Sequence, residues 1–85
     1  MRRIIFGVRD QALESFLSVW LAPTTGAALR SFEDEARRGD GPMSAHPGHY
    51  SLHEFGTFDD VSGSFEIHPV PRMLCYASDF KEVLK

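Results

Sequence analysis

Residues 15–32, S-F-L-S-V-W-L-A-P-T-T-G-A-A-L-R-S-F, contain the change of period that decides the fold. Through Leu21 the run is rich in aromatic and branched side chains, the composition of a strand. Pro23 ends it, because proline has no amide hydrogen to give to a ladder. Thr24 or Thr25 then offers a side-chain oxygen to a free amide of a first helical turn. Ala28, Leu29, Phe32 and Ala36 recur at steps of three and four, the stripe of a helix with one buried face.

Working outward, residues 3–8 (R-I-I-F-G-V) form an earlier strand, and the short connection to residues 15–21 makes an antiparallel pair. The helix carries Arg30/Asp34, Glu33/Arg37 and Asp34/Arg38 at i,i+4 on its outer face. Arg37 and Arg38 sit near its negative end, and Gly39 is a natural stop. Residues 39–49 are rich in Gly and Pro and are expected to be an ordered or mobile surface loop. Tyr50 to Phe58 and Ser64 to His68 flank D-D-V-S-G, a hairpin turn in which Gly63 supplies a positive φ and Asp59 bonds the backbone. Pro69 and Pro71 are expected to end the last strand. Ser78 is a candidate cap for a short helical turn carrying Phe80, Val83 and Leu84. The expectation is a single α+β domain over residues 1–85: a small antiparallel four-stranded sheet (β-β-α-β-β) packed against one main helix.

The strands are apolar on both sides. Residues 15–21 set Phe16 and Trp20 against Leu17, Val19 and Leu21, and residues 3–8 set Ile4, Phe6 and Val8 against Ile5. One helix covers only one face of a sheet, so a second cover is needed. Three candidates are the C-terminal segment through Leu74, Tyr76 and Phe80, a second copy of the chain across a two-fold axis, and unpaired nucleic-acid bases stacking on exposed rings.

Composition narrows the function classes. With 85 residues, 42% of them hydrophobic and 25% charged, the chain falls in the ordinary globular range. A domain of this size leaves about a third of its unfolded surface exposed even when folded. Its single cysteine, Cys75, has no intramolecular partner, and its apolar context M-L-C-Y-A is that of a small buried hydrophobe. No signal peptide or apolar run of about eighteen residues is seen, so the expected setting is a reducing cytoplasm without membrane attachment. The net charge of −3 counts against broad nucleic-acid affinity, which comes mainly from Lys and Arg neutralising phosphates.

No catalytic constellation is present: there is no phosphate-cradling G-x-x-x-x-G-K-[ST], no nucleophile elbow and no Cys/His pair at a recognisable spacing. The expectation is a protein that is not an enzyme and needs no cofactor. His46, His49 and His53 have a metal-like spacing, with His68 or Cys75 as a fourth ligand, but they read better as loop and strand residues than as a metal site. Asp59 and Asp60 lack the spacing of a calcium loop and read as turn residues.

Two ordered blocks carry a resemblance. The first is V-R-D-x(5)-F…P-T-T-G-A-A-L-R-S-F over residues 8–32, and the second is H-P-x-x-Y-S-L-x-x-x-G-x-F-D-D-x-x-G over residues 46–63. Together they resemble the small nonstructural protein of gokushovirus-type single-stranded DNA phages, the Microviridae. The matching positions include Asp10, Pro23, Gly26, Arg30, Phe32, His46, Pro47, Tyr50, Gly56, Asp59, Asp60 and Gly63. Val19 lies where that family commonly has proline, and Thr25 where it has asparagine. The resemblance implies a host bacterial cytoplasm and an accessory role in the viral DNA cycle. Under it, the chain binds single-stranded DNA or the replication machinery around the switch from genome copying to packaging; the homodimer is expected instead from the strands that are apolar on both sides.

If DNA is bound, its phosphate contacts are expected at Arg2, Arg3, Arg9, Arg37 and Arg38, with Phe16 and Trp20 as stacking rings. The alternative is a protein-interaction module that docks on capsid precursors or a host factor without touching DNA. Charge placement separates the two: convergence of those arginines beside Phe16, Trp20 or Phe55 favours DNA, and their pairing with acidic residues favours protein. Arg30 is expected to anchor the helix to the Asp-Asp turn or to Asp10.

Overall fold

The computed structural model describes residues 1–81. Strand β1 (Arg2–Asp10) and strand β2 (Ser15–Ala22) are followed by helix α1 (Thr25–Arg37) and a one-turn helix α2 (Pro42–Ala45). A 3-10 turn over Pro47–His49 leads into β3 (Tyr50–Asp59), β4 (Phe65–Tyr76) and a last turn, α3 (Ser78–Lys81). All strand pairs are antiparallel and the sheet order is β2-β1-β3-β4. The expected α+β architecture is therefore the observed one. Val83 and Leu84, expected in the final turn, lie outside the described residues.

Local chemistry explains the connections. Asp10 closes the β1–β2 turn, its Oδ1 accepting from the amides of Ala12 (2.9 Å) and Leu13 (3.4 Å). Thr24 caps α1, its Oγ1 accepting from the amide of Ala27 at 3.1 Å. In the β3–β4 turn Asp59 Oδ1 accepts from the amide of Val61 at 2.9 Å, and Gly63, at φ 78°, donates its amide to the Asp59 carbonyl at 2.7 Å. Helix α1 carries the chain from the β2 edge across β1 to β3, so its buried stripe lies on one face of the sheet. Ala28 and Phe32 meet Phe6, Val8, Ala22 and Leu52, with Met43, Tyr50 and Ala77 completing the core. Phe6 and Leu52 are wholly buried; removing side chains of this size from water contributes about 1.5–3 kcal/mol each.

Three expectations need correcting. β4 does not stop at His68 but continues to Tyr76. Glu54 pairs with Arg72 and Gly56 with Ile67, so residues 68–71 (H-P-V-P) bulge opposite Phe55. Because β4 is an edge strand, Pro69 and Pro71 sit in this bulge without breaking an inner ladder. Residues 39–49 are ordered, but they add to the core instead of lying wholly on the surface: Met43 of α2 is buried, and Ser44 Oγ ties α2 to α1 by donating to the Ala36 carbonyl at 2.7 Å. On the surface of α1, Arg37 pairs with Glu33 as expected (2.8 Å), whereas Arg38 pairs with Glu35 (3.1 Å) instead of Asp34.

Candidate interaction surface

Residues paired across antiparallel strands point to the same side, so the register defines the second face. Ile5 pairs with Leu21, Gly7 with Val19 and Arg9 with Phe16. Across β3 and β4, Gly7 pairs with His53, His53 with Met73, Gly56 with Ile67 and Phe58 with Phe65. All of these lie opposite the helix. Val19, Phe65 and Ile67 are 64%, 62% and 58% exposed, and Leu21 and Met73 are also exposed.

The expected C-terminal cover is only partly there: Tyr76 pairs with Ser51 and so falls on the open face, whereas Leu74 and Phe80 pack against the helix-side core instead, with the Phe80 ring 6.1 Å from that of Phe32. The strand β4 reaches Tyr76 before it turns into α3, which delivers Ala77 and Phe80 to the helix side. The expected grouping of Phe16 with Trp20 also fails. A register shift between Val8 and Arg9 leaves Leu17 as the extra residue of β2, so Phe16 falls on the open face while Trp20 pairs with Phe6 on the helix side.

The open face is ordered by its own contacts. The Phe55 ring lies over Gly7, where an added Cβ would come within 2.4 Å of it. Phe16 packs edge-on against Phe55 at 5.0 Å and His53 at 5.1 Å between centroids, and Phe58 meets Phe65 at 4.7 Å. Gly56 is held at φ 155°, and a side chain there would strike the Glu66 carbonyl oxygen. At one end runs a polar chain. Arg9 Nε donates to Gln11 Oε1 (3.3 Å), Gln11 Nε2 donates to Ser51 Oγ (2.8 Å), and Ser51 Oγ lies 2.9 Å from His53 Nε2. His53 Nδ1 is buried without a partner. Burial, and secondarily the Arg9 charge, hold the imidazole below its ordinary pKa, which favours the neutral ring. Gln11 carried no signal in the sequence, and Ser51 entered only as a letter of the block over residues 46–63, with no role attached to it.

The arginines are mostly neutralised where they stand. Arg2 pairs with Glu66 (3.1 Å), Arg3 with Asp60 (3.2 Å), Arg37 with Glu33, and Arg38 with Glu35 and Asp40. Asp60 also takes the N-terminal ammonium at 2.6 Å; the hydrogen bonds from that ammonium and from Arg3 hold its carboxyl below the usual range. Hydrogen bonding by the Val61 amide does the same for Asp59. Of the five, Arg9 is the one with no acidic partner among the described residues, and its guanidinium lies 5.4 Å from the Phe16 centroid; Arg3 also sits on the open face, opposite Phe58, but is held by Asp60. Arg30 is exposed and anchors nothing among the described residues; Asp10 closes its own turn, and Asp60 is held by Arg3 and the N-terminal ammonium.

The remaining candidates separate in space. Glu54 Oε2 holds His68 at 2.8 Å, His46 and His49 stack on each other, and no group of three potential ligands is placed for a metal among the described residues. Burial, with Asp79 nearby, pushes the Cys75 thiol up to about 11, away from nucleophilic chemistry. No helix among the described residues is long and apolar enough to cross a membrane. On the helix side, a groove of about 440 Å³ runs between Leu17, Ser18 and Trp20 of β2 and Phe32, Glu35 and Met43 of the helical layer. The family model described as "Phage ORF5 protein" matches residues 3–80, and the chain belongs to that family of phage proteins. No curated protein and no solved structure matches it.

Proposed function

We propose that this phage ORF5-family chain is a non-enzymatic accessory protein of a gokushovirus-type (Microviridae) phage. In this reading it works in the host bacterial cytoplasm and docks on the proteins of genome replication and packaging through its open sheet face. The observation that supports docking on protein is the pairing of an exposed apolar face with four candidate arginines, Arg2, Arg3, Arg37 and Arg38, that are spent on acidic partners. Contiguous apolar surface flanked by polar residues is the usual mark of a protein-binding site. A phosphate-binding surface would leave its cations free to displace counterions. The helix covers one face only, so the apolar side chains of the other are left for a partner to bury.

The test is co-expression with the replication initiator and the capsid proteins of the same phage. Wild-type chain is expected to co-purify with one of them, and a folded Phe65→Lys variant is expected to lose that partner. Retention of every partner by the folded variant contradicts the reading.

One observation favours a second reading, contact with single-stranded DNA at the Arg9 end. Arg9 over Phe16, with Phe55 beside it, is a cation and two rings in the arrangement that stacks unpaired bases. Fluorescence anisotropy with single- and double-stranded oligonucleotides at low and near-physiological salt checks it. Salt-sensitive, single-strand-selective binding that Arg9→Ala abolishes supports this reading, and no binding at low salt removes it.

A further inference from the structure

The two edges of the sheet are built differently. β4 carries Glu66, His68, Pro69, Pro71 and Arg72 and bulges at residues 68–71, all features that keep an edge from pairing with another strand. β2, at the opposite edge, is S-F-L-S-V-W-L-A, with no charge, no proline and no glycine. An edge strand offers unpaired amide and carbonyl groups along its outer side, and natural proteins rarely leave a long, uncharged one unguarded. Apolar side chains also flank this edge on both faces: Val19 and Leu21 on the open face, and Leu17 beside the groove on the helix face.

We propose that β2 pairs antiparallel with β2 of a second copy across a two-fold axis, joining two four-stranded sheets into one of eight strands. A second copy suits this edge for reasons of charge and closure. Self-pairing of residues 15–22 brings no like charges together, because the segment has none. The two-fold axis consumes β2 in both copies and leaves the guarded β4 edges outermost, so association stops at two rather than running on as a fibre. Side-chain contact accompanies the backbone bonds on both faces. Val19 and Leu21 of the two copies extend one apolar surface, and Leu17 of each lies beside the partner's groove. The pairing uses the edge and not the open face, so it stands apart from the docking function while doubling the surface available to it.

Sedimentation velocity of the purified chain and two lysine variants tests the proposal. The wild type is expected to sediment at twice the 9.6 kDa chain mass. Ser18→Lys, which sets lysines close together across the axis, is expected to halve that mass, and Ile67→Lys to leave it unchanged. A wild-type monomer overturns the proposal. So does a dimer that Ile67→Lys breaks and Ser18→Lys spares, the outcome of face-to-face packing. Should Ser18→Lys not fold, single cysteines placed in turn at positions 17–21 of a Cys75→Ser chain give a second readout. Paired edges bring the residue on the axis within disulfide distance of its own copy. Oxidation is then expected to cross-link one β2 position strongly and Ile67→Cys not at all; cross-linking at Ile67→Cys alone, or at none of these positions, overturns the proposal.

Discussion

The two faces of the sheet draw on the same kind of residue and meet opposite fates. Phe6, Val8 and Leu52 on one side are sealed by Ala28 and Phe32, while Val19, Phe65 and Ile67 on the other stand in water. Hydrophobicity alone therefore does not determine burial here; what matters is which face the single crossover helix lands on. The buried face holds the chain together, and the exposed one is available for recognition.

The sharpest way to break this comparison is to cut one ring from each face. Phe6→Ala is expected to cost about 3–5 kcal/mol, enough to unfold much of a domain whose total stability is of order 5 kcal/mol. Phe65→Ala is expected to cost no more than about 1 kcal/mol, the worth of its cross-strand contact with Phe58. Chemical denaturation of both variants checks the pair, and equal losses would mean that the open face is part of the core.

Gly56→Ala comes next, at about 1–3 kcal/mol, because it forces a strained backbone against the Glu66 carbonyl and disturbs the pairing that carries Ile67. The same denaturation curve reads it. Thr24→Ala removes the cap that fixes where α1 begins and is expected to cost about 1 kcal/mol, with thermal melting as the measure.

The smallest effect is a pH dependence belonging to the open face. His53 is held neutral when folded, so between its lowered folded pKa and its unfolded value of about 6.5 the unfolded chain binds more protons. Its contribution is intact above about pH 6.5 and declines as pH falls toward the folded value. Melting temperatures across this range are expected to fall for the wild type and to flatten for His53→Gln. An unchanged slope in the variant would assign the effect to other groups.

Much of this was legible in the sequence because it depends on short-range chemistry. Pro23 and Thr24 mark the strand-to-helix change, Asp59 and Gly63 mark the last hairpin, and the doubled apolar pattern of residues 3–8 and 15–21 shows that the sheet has a second apolar face. What escaped notice depends on register and position in the sheet. An extra residue at Leu17 separates Phe16 from Trp20, and no local pattern announces it. Pro69 and Pro71 stop an inner strand but not an edge strand, and only the sheet order makes β4 an edge. The candidate surface was half visible for the same reason: Phe16 and Arg9 were picked out, whereas Phe65, Ile67 and Met73 reach the open face through pairings set across the whole sheet. The pairing of Arg2 with Glu66 and Arg3 with Asp60 joins the start of β1 to the β3–β4 hairpin, which spacing does not reveal.

The most direct measurement compares wild type with a Phe65→Ser/Ile67→Ser double variant, each co-expressed with the replication initiator and capsid proteins of the phage and each checked for folding by its melting curve. The account predicts that the variant melts like the wild type and loses a phage partner that the wild type captures. A folded variant that keeps every partner, or a wild type that captures none, would contradict the assignment of the open face to docking.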